Sequence, residues 1–422
     1  MSDEQEEPKF GSPTPFAEPS WYDPRNSTPY YTEHHKKFRA TLREFVDKDV
    51  LPHVDEWEAA GEIPIDVYRK AGKIGLLRAA IGWPSEEVPG LPPRPPGYDP
   101  FFSVIAMDEM ARCGSGGVVW GLTGGLGIGL PPVAYYGTDK MKEEVALPCL
   151  MGEKRIALAV SEPTAGSDVA GLKTTAEDKG DHYLINGQKK WITCGMYADF
   201  FTVAARTGEA GMMGIELILV ERSRKGVSTR AMDCMGVKGS GTAFIEFDDV
   251  VVPKENLIGD VTCLLRNFVT ERLGIAIQAN RFARICLQES IEYARRRKAF
   301  GKKLEDQPVV RYKIAEMARE VTVTHAFLES LAFRIKAAQD SGNDWYDDIL
   351  RLGAEAALAK VQATKCFDHC ARSAAHLQGG SAYVKGNKVE SLYRHVLSLA
   401  IPGGSEDVMI DAAARLALKG RL

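Results

Sequence analysis

The residues of this 422-residue chain that could do chemistry begin with a turn, Ser161-Glu-Pro-Thr-Ala-Gly-Ser167, directly after a short apolar run. Such a turn offers hydroxyls and backbone N–H groups that suit the phosphate of a ligand. An ordinary strand-end turn with Ser167 as a helix N-cap is the alternative. A second motif, the Trp-Ile-Thr run at 191–193, would by itself indicate only a strand.

Two carboxylates are candidate general bases. Glu271 precedes Arg272 in a helical stretch, and Glu406 follows Ser405 where the last helix is predicted to begin. A carboxylate can remove a weakly acidic carbon-bound proton only where burial raises its pKa. From the residues alone, Glu271 is better explained as an ordinary glutamate in the first turns of a helix, where the macrodipole favours anions. Glu406 fits an acidic first turn after an N-cap.

The charge and cysteine content narrow the class of protein. A formal net charge of −4 gives no basic excess for nucleic acid or an anionic membrane. The basic run 295–303 fits a solvated helix end. Eight scattered cysteines predict a reducing compartment rather than a disulfide framework. Cys366, His369 and Cys370 share one predicted helix without a second ligand pair, which predicts core positions and no metal site.

Hydrophobic periodicity divides the chain into four parts. Residues 1–30, rich in Pro, Ser and acidic groups, predict a loosely ordered arm. Residues 31–155 show helical spacing, 156–258 show period-two runs typical of an antiparallel sheet or barrel, and 259–422 return to long helical patterns. The expected fold is therefore α+β, with a β domain between an N-terminal helical domain and a C-terminal four-helix bundle.

No apolar run reaches the length of a membrane span. The glycine-dense stretch 121–129 indicates close helix packing or a pocket wall.

Several motifs occur in order and with compatible spacing, and together they resemble the acyl-CoA dehydrogenase family of flavoproteins. They are Leu158 to Asp168, Lys189 to Gly195, Met235 to Thr242, Phe247 to Pro253, Arg297 to Gly301 and Gln378 to Gly380. The resemblance implies FAD as cofactor and an acyl-CoA as substrate. It further implies removal of two hydrogens from the α and β carbons to give the trans-2-enoyl-CoA.

The resemblance also assigns cofactor roles. Ser167 would meet both a flavin phosphate and the pantetheine of the substrate, and the Trp191 indole would lie against the flavin ring with Thr193 near its reactive nitrogen. Arg297 and Phe300 would hold the pyrophosphate and adenine of FAD in a neighbouring subunit, which implies a homodimer or homotetramer with shared sites. The remaining cofactor positions implied are Val160, Ser161, Gly166, Ile192, Gln307, Gln378, Gly379, Gly380 and Ser405.

The catalytic base departs from the commonest family pattern. Many members carry it in a Tyr-Glu-Gly-Thr loop, but the matching loop here is Pro402-Gly-Gly-Ser405, so Gly403 takes the position of the carboxylate. A subgroup that includes isovaleryl-CoA and long-chain enzymes carries the base on a helix before an arginine. That pattern predicts Glu271 as base, with Glu406 as the rival. Arg272 would support Glu271 or the CoA, while Gly403 and Gly404 would line the substrate site and the Gly403 N–H would bind the enolate oxygen.

Three other functions remain open at this stage. An acyl-CoA oxidase would pass electrons to oxygen rather than to an electron-transfer flavoprotein, but such oxidases are usually longer. The second alternative is a flavin-binding homologue without catalytic activity. The third is a DNA-associated relative, which the negative net charge of the chain disfavours. The acidic N-terminus and the final Gly-Arg-Leu lead us to expect a soluble intracellular protein, in the cytoplasm or peroxisome rather than the mitochondrion.

Overall fold

The computed structural model describes residues 12–23, 26, 28–84, 90–341 and 351–418. The final Gly-Arg-Leu tripeptide, parts of the predicted arm, residues 85–89 and residues 342–350 lie outside these residues. The N-terminal region is helical, as predicted. Its helices α1 to α10 are Glu33–Phe45, Val54–Ala60, Ile65–Lys73, Leu76–Ala80, Pro100–Ala111, Gly116–Val119, Gly125–Gly129, Pro131–Tyr136, Asp139–Met141 and Leu147–Leu150.

The glycine-dense segment forms part of one helical stretch, Gly116–Tyr136, which we call the Gly-rich helix. A Cβ at Gly129 would come within 2.8 Å of the Ala157 carbonyl carbon, and one at Gly125 within 2.5 Å of the Cys194 sulfur. Glycine therefore lets this helix touch the sheet directly, so Gly125 serves close packing. Among the described residues, this helix alone has the length and apolarity of a membrane span, which corrects the expectation from the sequence, and 72% of that window is buried inside the protein.

The middle region is an eight-stranded sheet with strands β1 to β8 at Ile156–Ala159, Thr175–Asp178, His182–Ile192, Phe200–Arg206, Ile215–Glu221, Val227–Ala231, Ala243–Pro253 and Leu257–Asp260. The strand order is β6-β7-β3-β2-β4-β5-β8, with β1 beside β4. The sheet is mixed rather than antiparallel, because β1 pairs in parallel with β4, and it is open rather than a barrel, because the end strands β6 and β8 do not pair with each other. Period two identifies a strand but carries no information on its direction, so the sequence could not distinguish these cases.

The C-terminal region is the predicted helical domain. Helix α11, Val261–Arg296, leads through a small hairpin of β9, Lys298–Ala299, and β10, Lys302–Lys303, into α12, Pro308–Asp340. Helix α13, Gly353–Gln378, packs against α11, α12 and the last helix. The remaining helices, α14 to α16, are Lys388–Arg394, Val396–Ala400 and Glu406–Leu418. Cys366 and Cys370 are buried on α13, as predicted for core cysteines.

The expectation of a loose arm was wrong for its described part. Trp21 and Tyr22 are buried, and Trp21 stacks on Tyr31 with ring centroids 3.8 Å apart. The Glu18 carboxylate accepts from Arg43 and from Arg281, each at 2.9 Å. This ion-paired contact holds the segment 12–23 against α1 and α11. The composition of this segment suggested disorder, because composition cannot reveal an ion-pair partner as distant in sequence as Arg281 is from Glu18.

Candidate active site

A cavity of about 620 Å³ lies between the Gly-rich helix, α11 and the residues before α5. Its α11 wall is a single stripe at helical spacing, since these positions recur every three or four residues. The stripe consists of Cys263, Asn267, Thr270, Glu271, Leu273, Gly274, Ile275, Ile277 and Gln278. Thr193 and Pro402 also line the cavity, so it joins the predicted flavin strand to the loop before the last helix.

Glu271 lies in the third turn of α11, beyond the reach of the helix N-terminus. Its Oε2 atom is buried and has no hydrogen-bond partner among the described residues. Burial raises the pKa of Glu271 to about 7, and this shift is opposed by the positive charges of Arg272 and Lys360. A carboxylate with a pKa near neutrality is suited to take a proton from carbon. Its place in the cavity and its raised pKa support the predicted role of base.

The loop that lacks the carboxylate lies directly against Glu271. A Cβ built at Gly403 would be 3.9 Å from Glu271 Oε1 and 3.0 Å from the Ile275 side chain. Gly403 has φ of 67°, a backbone conformation that glycine adopts without strain. The two alternative positions of a base therefore lie next to each other, and a side chain at 403 would crowd Ile275 on α11.

A partly buried arginine and a buried lysine fix this loop over the base. Arg272 Nε donates to the Gly403 carbonyl at 3.0 Å, and Lys360 Nζ donates to the carbonyls of Ala400 and Gly404 at 2.5 and 2.8 Å. Lys360 is fully buried on α13, and burial lowers its pKa to about 8. The sequence predicted Arg272 but missed Lys360, because a lysine inside a long helix carries no motif.

The raised pKa of Glu271 predicts a pH-dependent reaction. Because the base acts in its deprotonated form, kcat/KM for an acyl-CoA should rise with pH and level off above about 7. Lys360→Met removes a positive neighbour that favours the carboxylate, so the midpoint should move to higher pH. Anaerobic rates of flavin reduction measured from pH 5 to 9 test both expectations. A wild-type rate independent of pH across this range would contradict the assignment.

A buried ion pair between Lys189 and Glu162 fixes the turn 161–167. Lys189 on β3 is fully buried, and its Nζ donates to Glu162 Oε1 at 2.8 Å and to the Val160 carbonyl at 2.9 Å. Glu162 also accepts the backbone N–H groups of Lys173 and Thr174 at 2.6 and 2.9 Å. The pair leaves Gly166 and Ser167 exposed at the turn, where a Cβ on Gly166 would meet nothing within 4 Å. Ser167 is not a helix N-cap, since the following short helix is capped at Asp168.

The Trp-Ile-Thr run ends β3 next to the cavity. Ile192 is buried in the β-domain core, whereas Trp191 keeps 49% of its surface exposed and has φ of 62°. Strained, exposed aromatic residues of this kind concentrate at functional sites. Ser161 is tied to this strand, because its carbonyl accepts from the Lys190 N–H at 2.8 Å. The turn therefore lies beside the strand end that carries Trp191 and, two residues further on, the cavity residue Thr193.

A second group of predicted cofactor residues lies at the far end of the C-terminal bundle. Arg297 and Phe300 stand at the hairpin after α11, and Phe300 is 96% exposed with φ of 53°. The hydroxyl of Tyr293 donates to the Gln378 carbonyl at 3.4 Å, which brings the ends of α11 and α13 together. Gly379 and Gly380 are exposed beside Gln378, and Gln307 caps the start of α12. The structure does not bring this group to the cavity of its own chain.

The rival carboxylate is placed differently from Glu271. Glu406 begins the last helix, as predicted, and its Oε1 accepts from the Thr364 hydroxyl at 2.5 Å. It does not line the cavity that contains Glu271. Within the described ranges, the structure also contains no group of three or more His, Cys, Asp or Glu residues that could hold a metal ion.

In a helical–β–helical fold, the site thus combines a buried carboxylate in a cavity with an exposed indole and an exposed serine-containing turn on the β domain. Family models described as the N-terminal, middle and C-terminal domains of acyl-CoA dehydrogenase match residues 32–153, 157–250 and 261–418. The chain belongs to the acyl-CoA dehydrogenase family. It is an FAD-dependent enzyme that dehydrogenates acyl-CoA thioesters.

Individual relatives agree with this assignment over nearly the whole chain. Acyl-CoA dehydrogenase AFT10-1 of Alternaria alternata is 38% identical over 95% of each protein. The caffeyl-CoA reductase–Etf complex subunit CarC of Acetobacterium woodii is 32% identical over 92% of this chain and 100% of its own. The structure of an acyl-CoA dehydrogenase from Geobacillus kaustophilus superposes with a TM-score of 0.84 at 31% identity, covering 93% of this chain and 100% of that one.

Solved structures of similar proteins contain the cofactor. An acyl-CoA dehydrogenase from Bacillus anthracis, complexed with FAD, matches with a TM-score of 0.83 at 25% identity, over 94% of this chain and 71% of that one. The residues present here fit such a group, because the half-exposed Trp191 indole offers a flat surface and the exposed turn at Ser167 offers a hydroxyl and N–H groups.

Proposed function

We propose that this protein converts an acyl-CoA to the trans-2-enoyl-CoA, with Glu271 as the base that removes the α-proton. The observation that carries the proposal is the buried carboxylate of Glu271, unpartnered within the described chain and with a pKa raised to about 7, inside a cavity that also contains Thr193. FAD supplies the acceptor of the β-hydride when it is bound.

The protein groups around the base have separate tasks. Glu271 holds the α-proton at its carboxylate, while the backbone N–H of Gly403 binds the developing negative charge on the thioester oxygen. Arg272 and Lys360 fix the loop that carries this N–H, through the carbonyls of Gly403 and Gly404. The apolar walls exclude water, which keeps the carboxylate basic.

Ser167, Trp191 and Thr193 are proposed to hold the flavin end of FAD, together with Val160, Ser161, Gly166, Ile192 and Ser405. Arg297, Phe300, Gln307 and the Gln378–Gly380 segment are proposed to hold the adenine end of an FAD bound to another subunit. Glu271 and Arg296 are 25 residues apart on α11, about 37 Å along the helix axis, so the second group lies far from the cavity of its own chain. This separation supports a homodimer or homotetramer with shared sites.

The electron acceptor is proposed to be an electron-transfer flavoprotein. One relative, CarC, is named as a subunit of a complex with such a protein. Oxygen is the alternative acceptor. If flavin that has been reduced by substrate is slowly reoxidised in air and rapidly reoxidised by an electron-transfer flavoprotein, the dehydrogenase assignment holds.

The proposed reaction is tested by mixing the purified holoenzyme anaerobically with a panel of acyl-CoA thioesters and recording the visible flavin spectrum. We expect at least one thioester to bleach the flavin with formation of an enoyl-CoA, and the matching free acids to have no effect. Bound flavin that no acyl-CoA bleaches would instead indicate a flavin-binding homologue without this catalysis.

A further inference from the structure

A second buried polar group lines the cavity two helical turns beyond the base. Gln278 lies seven residues after Glu271 on the same stripe of α11, about 10.5 Å further along the helix axis. It is 1% exposed, and its Nε2 atom has no hydrogen-bond partner among the described residues. A buried amide nitrogen without a hydrogen-bond partner destabilises the folded protein. Its place in a ligand cavity therefore points to a ligand group that accepts a hydrogen bond from it.

Trp120 determines which way this amide faces. The indole Nε1 of Trp120, on the Gly-rich helix, lies 3.0 Å from Gln278 Oε1. An indole N–H can only donate, so the amide atom that meets it must be the oxygen. The NH₂ group of Gln278 is thereby left as a pair of donors with no acceptor in the part of the chain that the structure describes. A flipped amide would lose the one hydrogen bond that this side chain makes.

A second donor in the same cavity is also without a partner. Trp83 is 1% exposed and lines the cavity, and its Nε1 atom has no acceptor among the described residues. The walls between the base and these donors are largely apolar, including Gly274 and Ile275 on α11 and Ile128 on the Gly-rich helix. A plain hydrocarbon chain would fill the apolar part of the cavity but would leave both donors unpaired.

We propose that the acyl group of the substrate carries an oxygen acceptor along its chain, beyond the α and β carbons, and that Gln278 binds it. The substrate class is therefore an oxygenated acyl-CoA, with a carbonyl, hydroxyl or ether oxygen, rather than a simple alkanoyl-CoA. This inference rests on the proposed acyl-CoA oxidation. Gln278 acts as a specificity-determining residue, and Trp120 positions it.

The test compares matched pairs of acyl-CoA thioesters of equal chain length, one plain and one with a ketone or ether oxygen that is moved along the chain. We expect wild type to favour the oxygenated member at one position by roughly 10- to 100-fold in kcat/KM, the effect of leaving a buried donor unpaired. Gln278→Met keeps the side-chain volume but removes the donors, so the ratio should fall close to one.

Thr123→Val is the matched control. Thr123 lines the same cavity, but its hydroxyl already donates to the Val119 carbonyl at 2.8 Å, so its loss should leave the substrate ratio unchanged. The same pairs are also titrated into Glu271→Gln, in wild-type and Gln278→Met backgrounds, and the change in the flavin spectrum gives binding affinities without turnover.

Equal rates for both members of every pair in wild type would overturn the inference while the proposed reaction stands, and would indicate that water satisfies these donors. A preference that Gln278→Met retains would also overturn it. If no thioester of either kind bleaches the flavin, the proposed function fails and the inference fails with it.

Discussion

Replacing Glu271 with glutamine is expected to lower the rate of acyl-CoA oxidation by about 10²- to 10⁴-fold, the usual contribution of a positioned general base. Glutamine fills the same space but cannot accept the α-proton. FAD content and acyl-CoA binding should be retained, because neither depends on the charge of this side chain. The measurement is single-turnover flavin reduction under anaerobic conditions.

The control variant for this prediction is Glu406→Gln. Glu406 is the other carboxylate near the loop, but it is hydrogen-bonded to Thr364 outside the cavity, so its neutralisation should leave flavin reduction within a few-fold of wild type. If Glu271→Gln reduces flavin normally and Glu406→Gln does not, the base is Glu406. If both variants keep full activity, neither carboxylate is the base.

A stability measurement separates loss of the base from loss of the fold. The folded-state pKa of Glu271 is raised from 4.5 to about 7, so the unfolded chain releases this proton first as the pH rises. The stability that the protonated form contributes is complete below pH 4.5 and is lost as the pH rises through 7. At pH 8 the buried carboxylate thus costs about 3 kcal/mol. Glu271→Gln should therefore be more stable than wild type at pH 8 while being inactive, as expected where function requires a destabilised group.

The sequence predicted those parts of the molecule that depend on local pattern. Helical spacing located α1 and α11, period two located the strands, and motif order supported Glu271 over Glu406 as the base. It could not predict that β1 runs parallel to β4, because direction depends on how distant segments meet. It also missed Lys189 and Lys360, whose importance comes from full burial next to carbonyls and a carboxylate far away in sequence.

Gln278 illustrates the same limit at the site itself. In the sequence it is one polar residue in a long amphipathic helix, where a solvated position is the usual interpretation. Only the tertiary contact with Trp120 shows that the side chain is buried and that its amide faces a fixed way. Trp120 likewise has no evident role until α11 and the Gly-rich helix are placed together.

The second large effect is expected at Asp108, a buried carboxylate on α5 that connects the N-terminal and C-terminal helical regions. It accepts from the Tyr22 hydroxyl at 2.9 Å and forms ion pairs with Arg281 and Arg284 on α11. Burial alone would raise the pKa of Asp108, but these two arginines hold that pKa well below its usual range. The carboxylate is therefore charged in the folded protein throughout the physiological range.

Asp108→Asn should lower the free energy of unfolding by about 3–5 kcal/mol, because the buried Arg284 guanidinium loses its ion-pair partner and Arg281 is left with its ion pair to Glu18. For a chain of this size, that corresponds to a Tm about 3–6 °C lower. Thermal unfolding followed by circular dichroism at pH 7 measures it, with Glu44→Gln as control because the Glu44–Lys48 pair is exposed. Of the remaining acids nearby, Glu109 is paired with Arg43, and Glu18 is shared by Arg43 and Arg281, so neither is free to pair with Arg284. A variant as stable as the control would mean that water or rearrangement compensates Arg281 and Arg284, and that this network does not hold the two helical regions together.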